Sequence, residues 1–158
     1  MLFAKNPSPP DGGAAARHII DSAAFSPFWG VVLSEIAAMA SPEQLYGFFL
    51  GVGRRMAELH SVGGVQHLDR LSDRINGFWD SLGWGQVSFE LDDEGMDIIH
   101  IGVPGSLEGD RSGVWPQIAP AVLEGAYDAW FRQMGSADRL HTRVVAASEG
   151  RVDLRHGL

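Results

Sequence analysis

The chain has 158 residues, 45% of them hydrophobic and 20% charged, which suits one globular domain with a substantial core. Twenty Asp and Glu against twelve Lys and Arg give a formal charge of -8, and the only close basic pair is Arg54-Arg55, which argues against a nucleic-acid partner. With no cysteine, disulfides, thiolate metal sites and cysteine nucleophiles are excluded.

Residues 1–16 read as a flexible arm rich in Pro, Gly and Ala, with Leu2, Phe3 and Lys5 at its tip and a single domain expected over 17–158. No apolar h-region follows the arm, so no secretory signal is expected, and the most apolar stretches are too short to span a bilayer. Ser26-Pro27 reads as an N-cap with proline at the first helical position, opening a helix with the stripe Phe28, Trp29, Val32, Leu33, Ile36 and Met39. Ser41 and Gln44 are spaced as a capping box for a second helix, whose stripe is Leu45, Phe48, Phe49, Val52, Met56 and Leu59. Gly47 and Gly51 share a face of that helix; they suit either close approach of another backbone or a kink.

A third helix runs from Leu68 through Leu71, Ile75, Phe78, Trp79 and Leu82, with Gly83 as its αL stop. The apolar period then changes to two. Val87, Phe89 and Leu91 alternate with polar residues, Asp92 to Gly95 supply a turn, and Met96 to Val103 return, so a hairpin is expected. A glycine-rich loop over 102–113 leads to a long helix established from about Pro120, since proline is tolerated in a first turn and not beyond it. Its apolar positions are wide enough that Tyr127, Phe131 and Met134 are candidates for an interface between copies. Two strands, His141 to Ala147 and Val152 to His156, close the chain. The class is α+β, with N-terminal helices and one long C-terminal helix packed on a small antiparallel sheet.

Catalytic patterns are sparse. The glycines over 105–113 lack the Gly-Lys-Ser/Thr of a phosphate cradle, and the six histidines are scattered over different elements, so neither cofactor nor metal is expected. His100, within a strand, suits a satisfied sheet residue. Glu124, or the Asp92-Asp93-Glu94 turn, would be the carboxylates of a hydrolase, but a solvated turn and a surface or interface acid are the simpler readings. Trp29, Trp79 and Trp130 fall on core stripes, while Trp84 and Trp115 lie at junctions. An enclosed ligand pocket, as in a small-molecule sensor, is the alternative, suggested mainly by Gly51 to Arg55.

Gly83-Trp84-Gly85, Val87 to Leu91, Ile98-Ile99-His100, Ser112 to Trp115, Ala119-Pro120-Ala121-Val122-Leu123-Glu124-Gly125-Ala126-Tyr127 and Trp130 follow one another in an order that resembles the cellulose synthase D-subunit family of bacterial cellulose-secreting systems. The resemblance implies a non-catalytic accessory subunit, in a system where another subunit polymerises glucose from its activated nucleotide sugar. It further implies a cylindrical homo-octamer enclosing passages for β-1,4-glucan chains, with other cellulose synthase subunits as partners. By position, Leu2, Phe3 and Lys5 correspond to the N-terminal segment that lies near the passage, although the Pro-Gly stretch behind them departs from the family pattern. Gly83, Trp84, Gly85, Trp115, Pro120, Leu123, Glu124, Gly125, Tyr127 and Trp130 carry the match, as structural or interface residues. The expected location is the cytoplasmic side of the inner-membrane synthase, with the periplasm as the alternative.

Overall fold

The structure, a computed structural model, describes residues 22–158, with side chains from residue 27 onward. In chain order the elements are α1 (Ser22–Met39), α2 (Pro42–Leu59), α3 (Leu68–Leu82), β1 (Gln86–Leu91), β2 (Gly95–Ile101), α4 (Trp115–Gln133), β3 (His141–Ser148) and β4 (Arg151–Gly157). The strands form one antiparallel sheet in the order β1-β2-β4-β3, so the two C-terminal strands extend the first hairpin. The α+β class read from the sequence is the observed one. The arm expected over 1–16 lies outside the described residues.

The local signals at most boundaries act as read. Ser41 Oγ accepts from the Gln44 amide and the Gln44 side chain accepts in turn from the Ser41 amide, completing the capping box. Gly83 stops α3 in the left-handed region, at φ 67°. Two helix starts differ from the sequence reading, both at prolines. α1 begins at Ser22 and carries Pro27 inside it; α4 begins at Trp115, with Pro116 in its first turn and Pro120 buried farther in. A proline one turn into a helix removes a single amide bond there, and packing around Pro120 outweighs that loss.

α4 is enclosed by α2 on one side and by the sheet on the other, and twelve of its nineteen residues are buried. This corrects the interface reading of its wide apolar face. Tyr127 and Phe131 are core residues of the chain itself, because two layers cover the helix, and only Met134 is exposed. α3 covers β1, contributing Leu71, Ile75 and Trp79 to the same core.

Glycine allows α2 and α4 to meet backbone to backbone. A Cβ at Gly53 would lie 1.9 Å from the Val122 carbonyl oxygen, and one at Gly125 would lie 2.0 Å from that of Leu50. Each helix therefore supplies a notch for the other. Gly47 and Gly51 play no part in this contact, since a Cβ at either would meet nothing within 4 Å.

α1 departs most from its predicted stripe. Leu33 is buried and Gly30 rests against the backbone of the loop over 108–110, but Phe28, Trp29 and Met39 are 58%, 54% and 80% exposed. On α2, Phe48 and Leu59 are also exposed, at 55% and 86%. Apolar periodicity found the helices correctly, but some of those apolar positions do not face this chain's core.

The two classes of glycine should respond oppositely to alanine. Gly53→Ala and Gly125→Ala must force the helices apart and should each cost about 2–3 kcal/mol in chemical denaturation. Gly47→Ala and Gly51→Ala should be neutral or stabilise by up to about 1 kcal/mol, through helix propensity.

Candidate functional site

The residues with the most chemical capacity lie where α3, β2 and α4 converge. Trp79 Nε1 is 3.0 Å from the Tyr127 hydroxyl, which is 2.7 Å from His100 Nδ1; His100 Nε2 is 2.7 Å from the Trp84 carbonyl oxygen. An indole N–H only donates and a carbonyl only accepts, which fixes the direction of the chain. Trp79 donates to Tyr127, Tyr127 donates to Nδ1, and Nε2–H donates to Trp84. His100 is thus a neutral imidazole with both nitrogens satisfied. Burial pushes its pKa down to about 4, against the opposing effect of the Trp84 carbonyl. Burial likewise raises the Tyr127 hydroxyl well above its ordinary value, against the Trp79 bond.

This network is packed in aromatic rings. Trp84 stacks on Trp79 with centroids 5.5 Å apart and meets Trp115 edge-on at 5.3 Å. Trp115 Nε1 donates to the Pro104 carbonyl at 2.7 Å, and Trp130 Nε1 to that of His60 at 2.8 Å. Gly85, at φ 85°, lets the chain pass against the Ile101 carbonyl. Leu123 is buried in the same core, and Gly125 is the notch for α2. These contacts of Trp84, Gly85, Trp115, Leu123, Gly125 and Trp130 lie within the core of the chain.

Glu124 has the same character. Its Oε2 accepts from the Tyr46 hydroxyl at 2.7 Å and from the Val144 amide at 2.9 Å. One turn later, Asp128 Oδ1 accepts from the Thr142 amide at 3.0 Å. β3 is an edge strand, so these two carboxylates on one face of α4 satisfy amides that the sheet leaves open. Asn76 does the same at the opposite edge, accepting from the Val87 amide and donating to its carbonyl. Burial, then Glu124, raises the Tyr46 hydroxyl. Of the turn acids, Asp92 accepts from the Glu94 and Gly95 amides and pairs with Arg155. That guanidinium holds its carboxyl well below the ordinary range.

One pairing was not visible in the sequence. Ser136 Oγ lies 2.7 Å from His156 Nε2, and Thr142 Oγ1 lies 2.9 Å from Nδ1. A serine nucleophile needs a carboxylate behind its histidine to stabilise the imidazolium, and a hydroxyl stands there instead. The set ties the end of α4 to β3 and β4. Among the described residues no group of His, Asp and Glu has the arrangement of a metal site. A groove of about 400 Å³ runs between Val103-Pro104, Pro116, Pro120 and Glu149 at the surface. Gly53 is filled by α4, and Arg54 borders a polar groove of about 170 Å³ beside Glu124 and Asp128.

Leu2, Phe3 and Lys5 lie outside the described residues. Among the described residues, α1 and α2 leave large apolar side chains on the surface: Phe28, Trp29, Val31 and Met39 on α1, and Phe48 and Leu59 on α2. None of the helices among the described residues is long and apolar enough to cross a membrane.

The family model for the D-subunit of cellulose synthase matches residues 14–157, nearly the whole chain. The chain belongs to the cellulose synthase D-subunit family, and its role is that of an accessory subunit in cellulose synthesis. No curated protein matches the chain in sequence.

Burial of His100 has a measurable consequence. Its folded pKa is near 4 and its ordinary value is 6.5, so as pH falls the unfolded chain takes up the proton first. Stability should be flat above about pH 6.5 and fall by roughly 3 kcal/mol between there and pH 4. His156, lowered chiefly by burial, adds in the same direction. Asp92, held down by Arg155, and Asp110, held down by Ser112 against its burial, contribute to acid sensitivity only at lower pH. Urea midpoints measured from pH 8 to pH 4 check this.

Proposed function

We propose that this subunit is non-catalytic and works by self-assembly, as an oligomeric scaffold or conduit that helps order glucan chains, or the synthases that make them, for crystalline export. The observation that carries the reading is the apolar outer surface of α1. A helix whose faces are apolar all round is ordinarily buried, and here one face is left to solvent. Patches of this kind mark interaction surfaces. The polar interior supports the same reading, because its donors and acceptors are engaged in holding the sheet and helices together.

An octamer, the state implied by the family resemblance, is the proposed assembly. Other cellulose synthase subunits are its partners, on the cytoplasmic side of the inner-membrane complex, with the periplasmic side as the alternative. The segment bearing Leu2, Phe3 and Lys5 is proposed to contact β-1,4-glucan, and residues 1–16 to act as an arm. Neither role requires a cofactor.

A cellulose-secreting cell deprived of this subunit tests the proposal. Its membranes should still polymerise glucan from the nucleotide sugar at close to the normal rate, while the yield and crystallinity of secreted cellulose fall severalfold. A chain lacking residues 1–11 should restore yield without full crystallinity. Loss of polymerising activity from the membranes would show a catalytic contribution and overturn the proposal.

A further inference from the structure

Two exposed helical faces of this chain carry a similar pattern with opposite charge, the valine standing three positions after Phe28 and four after Phe48. At 100° per residue, Phe28, Val31, Glu35 and Met39 lie together on α1, and Phe48, Val52, Arg55 and Leu59 lie together on α2. Seven positions separate Phe28 from Glu35 and Phe48 from Arg55; eleven separate Phe28 from Met39 and Phe48 from Leu59. Apart from the half-buried Val52, all of these residues are exposed. Neither Glu35 nor Arg55 has an ion pair or hydrogen bond among the described residues.

We propose that the α1 face of one copy packs in parallel against the α2 face of a second copy, with Glu35 paired to Arg55 across the interface. In that register Phe28 lies beside Phe48, Val31 beside Val52 and Met39 beside Leu59. One chain cannot make this contact with itself. α1 and α2 are 18 residues each and are joined by Ala40 and Ser41 alone. Running them parallel would require the link to return about 27 Å, whereas two residues span roughly 10 Å. A second copy has no such restriction. A two-fold axis generates the contact twice, α1 on α2 and α2 on α1, and closes a pair of copies, four of which make up the proposed octamer. The exposed apolar side chains amount to on the order of 600 Å² per copy, against the roughly 800 Å² that a standard interface takes from each partner.

This interface rests on the self-assembly reading and names the surfaces that carry it. Sedimentation velocity over a concentration series of the full chain, with E35R, R55E and the E35R/R55E double variant, tests it. Both substituted positions are exposed, and far-UV circular dichroism confirms that the variants keep the fold. Each single reversal should weaken self-association by about tenfold or more, and the double reversal should restore it to within about threefold. Wild-type assembly with singles that associate normally, or with a double that fails to recover, would overturn this interface and leave self-assembly standing. A wild-type chain that stays monomeric would overturn both.

Discussion

Backbone contact between α2 and α4, through the notches at Gly53 and Gly125, sets where the other elements can sit. With the helices this close, Tyr46 reaches Glu124, and Gln133 bonds both the Ala57 carbonyl and the Val62 amide at the end of α2. α4 then presents its other side to the sheet, where Tyr127 closes the hydrogen-bonded chain from Trp79 to His100. A methyl group at either notch would disturb all of these contacts together.

The same geometry accounts for the polar residues of the interior. A four-stranded sheet has two open edges, and the chain closes parts of both with side chains: Glu124 and Asp128 on β3, and Asn76 on β1. The Glu124 and Asp128 carboxylates and the His100 imidazole all make hydrogen bonds within the fold. On the outer surface, α1 and α2 leave large apolar side chains exposed.

Much of the fold was legible in the sequence, because its signals were local. The capping box at Ser41, the αL stop at Gly83 and the change of period at Val87 each act within a few residues. The prolines misled because local propensity does not register the packing that encloses Pro120. Which apolar residues face the core was less legible. Periodicity marks a stripe as apolar without saying what covers it, so Trp29 reads as core and Phe131 as a candidate for an interface. Phe131 is covered by the sheet, whereas Trp29 stands half in solvent. The carboxylate caps on β3 and the contact between Ser136 and His156 join residues far apart in the chain, and no spacing rule announces them. The family resemblance came from short blocks whose residues fill the aromatic core and the α2–α4 crossing.

The central claim is that this subunit works as an assembly whose exposed helical faces are covered by other copies of itself. The most direct measurement is the absolute mass of the intact chain in solution by light scattering, taken across a wide concentration range at physiological salt. The account predicts a closed oligomer of defined mass, eight copies in the proposed form, that persists on dilution. A mass of one chain, 17.1 kDa, at every concentration would contradict it.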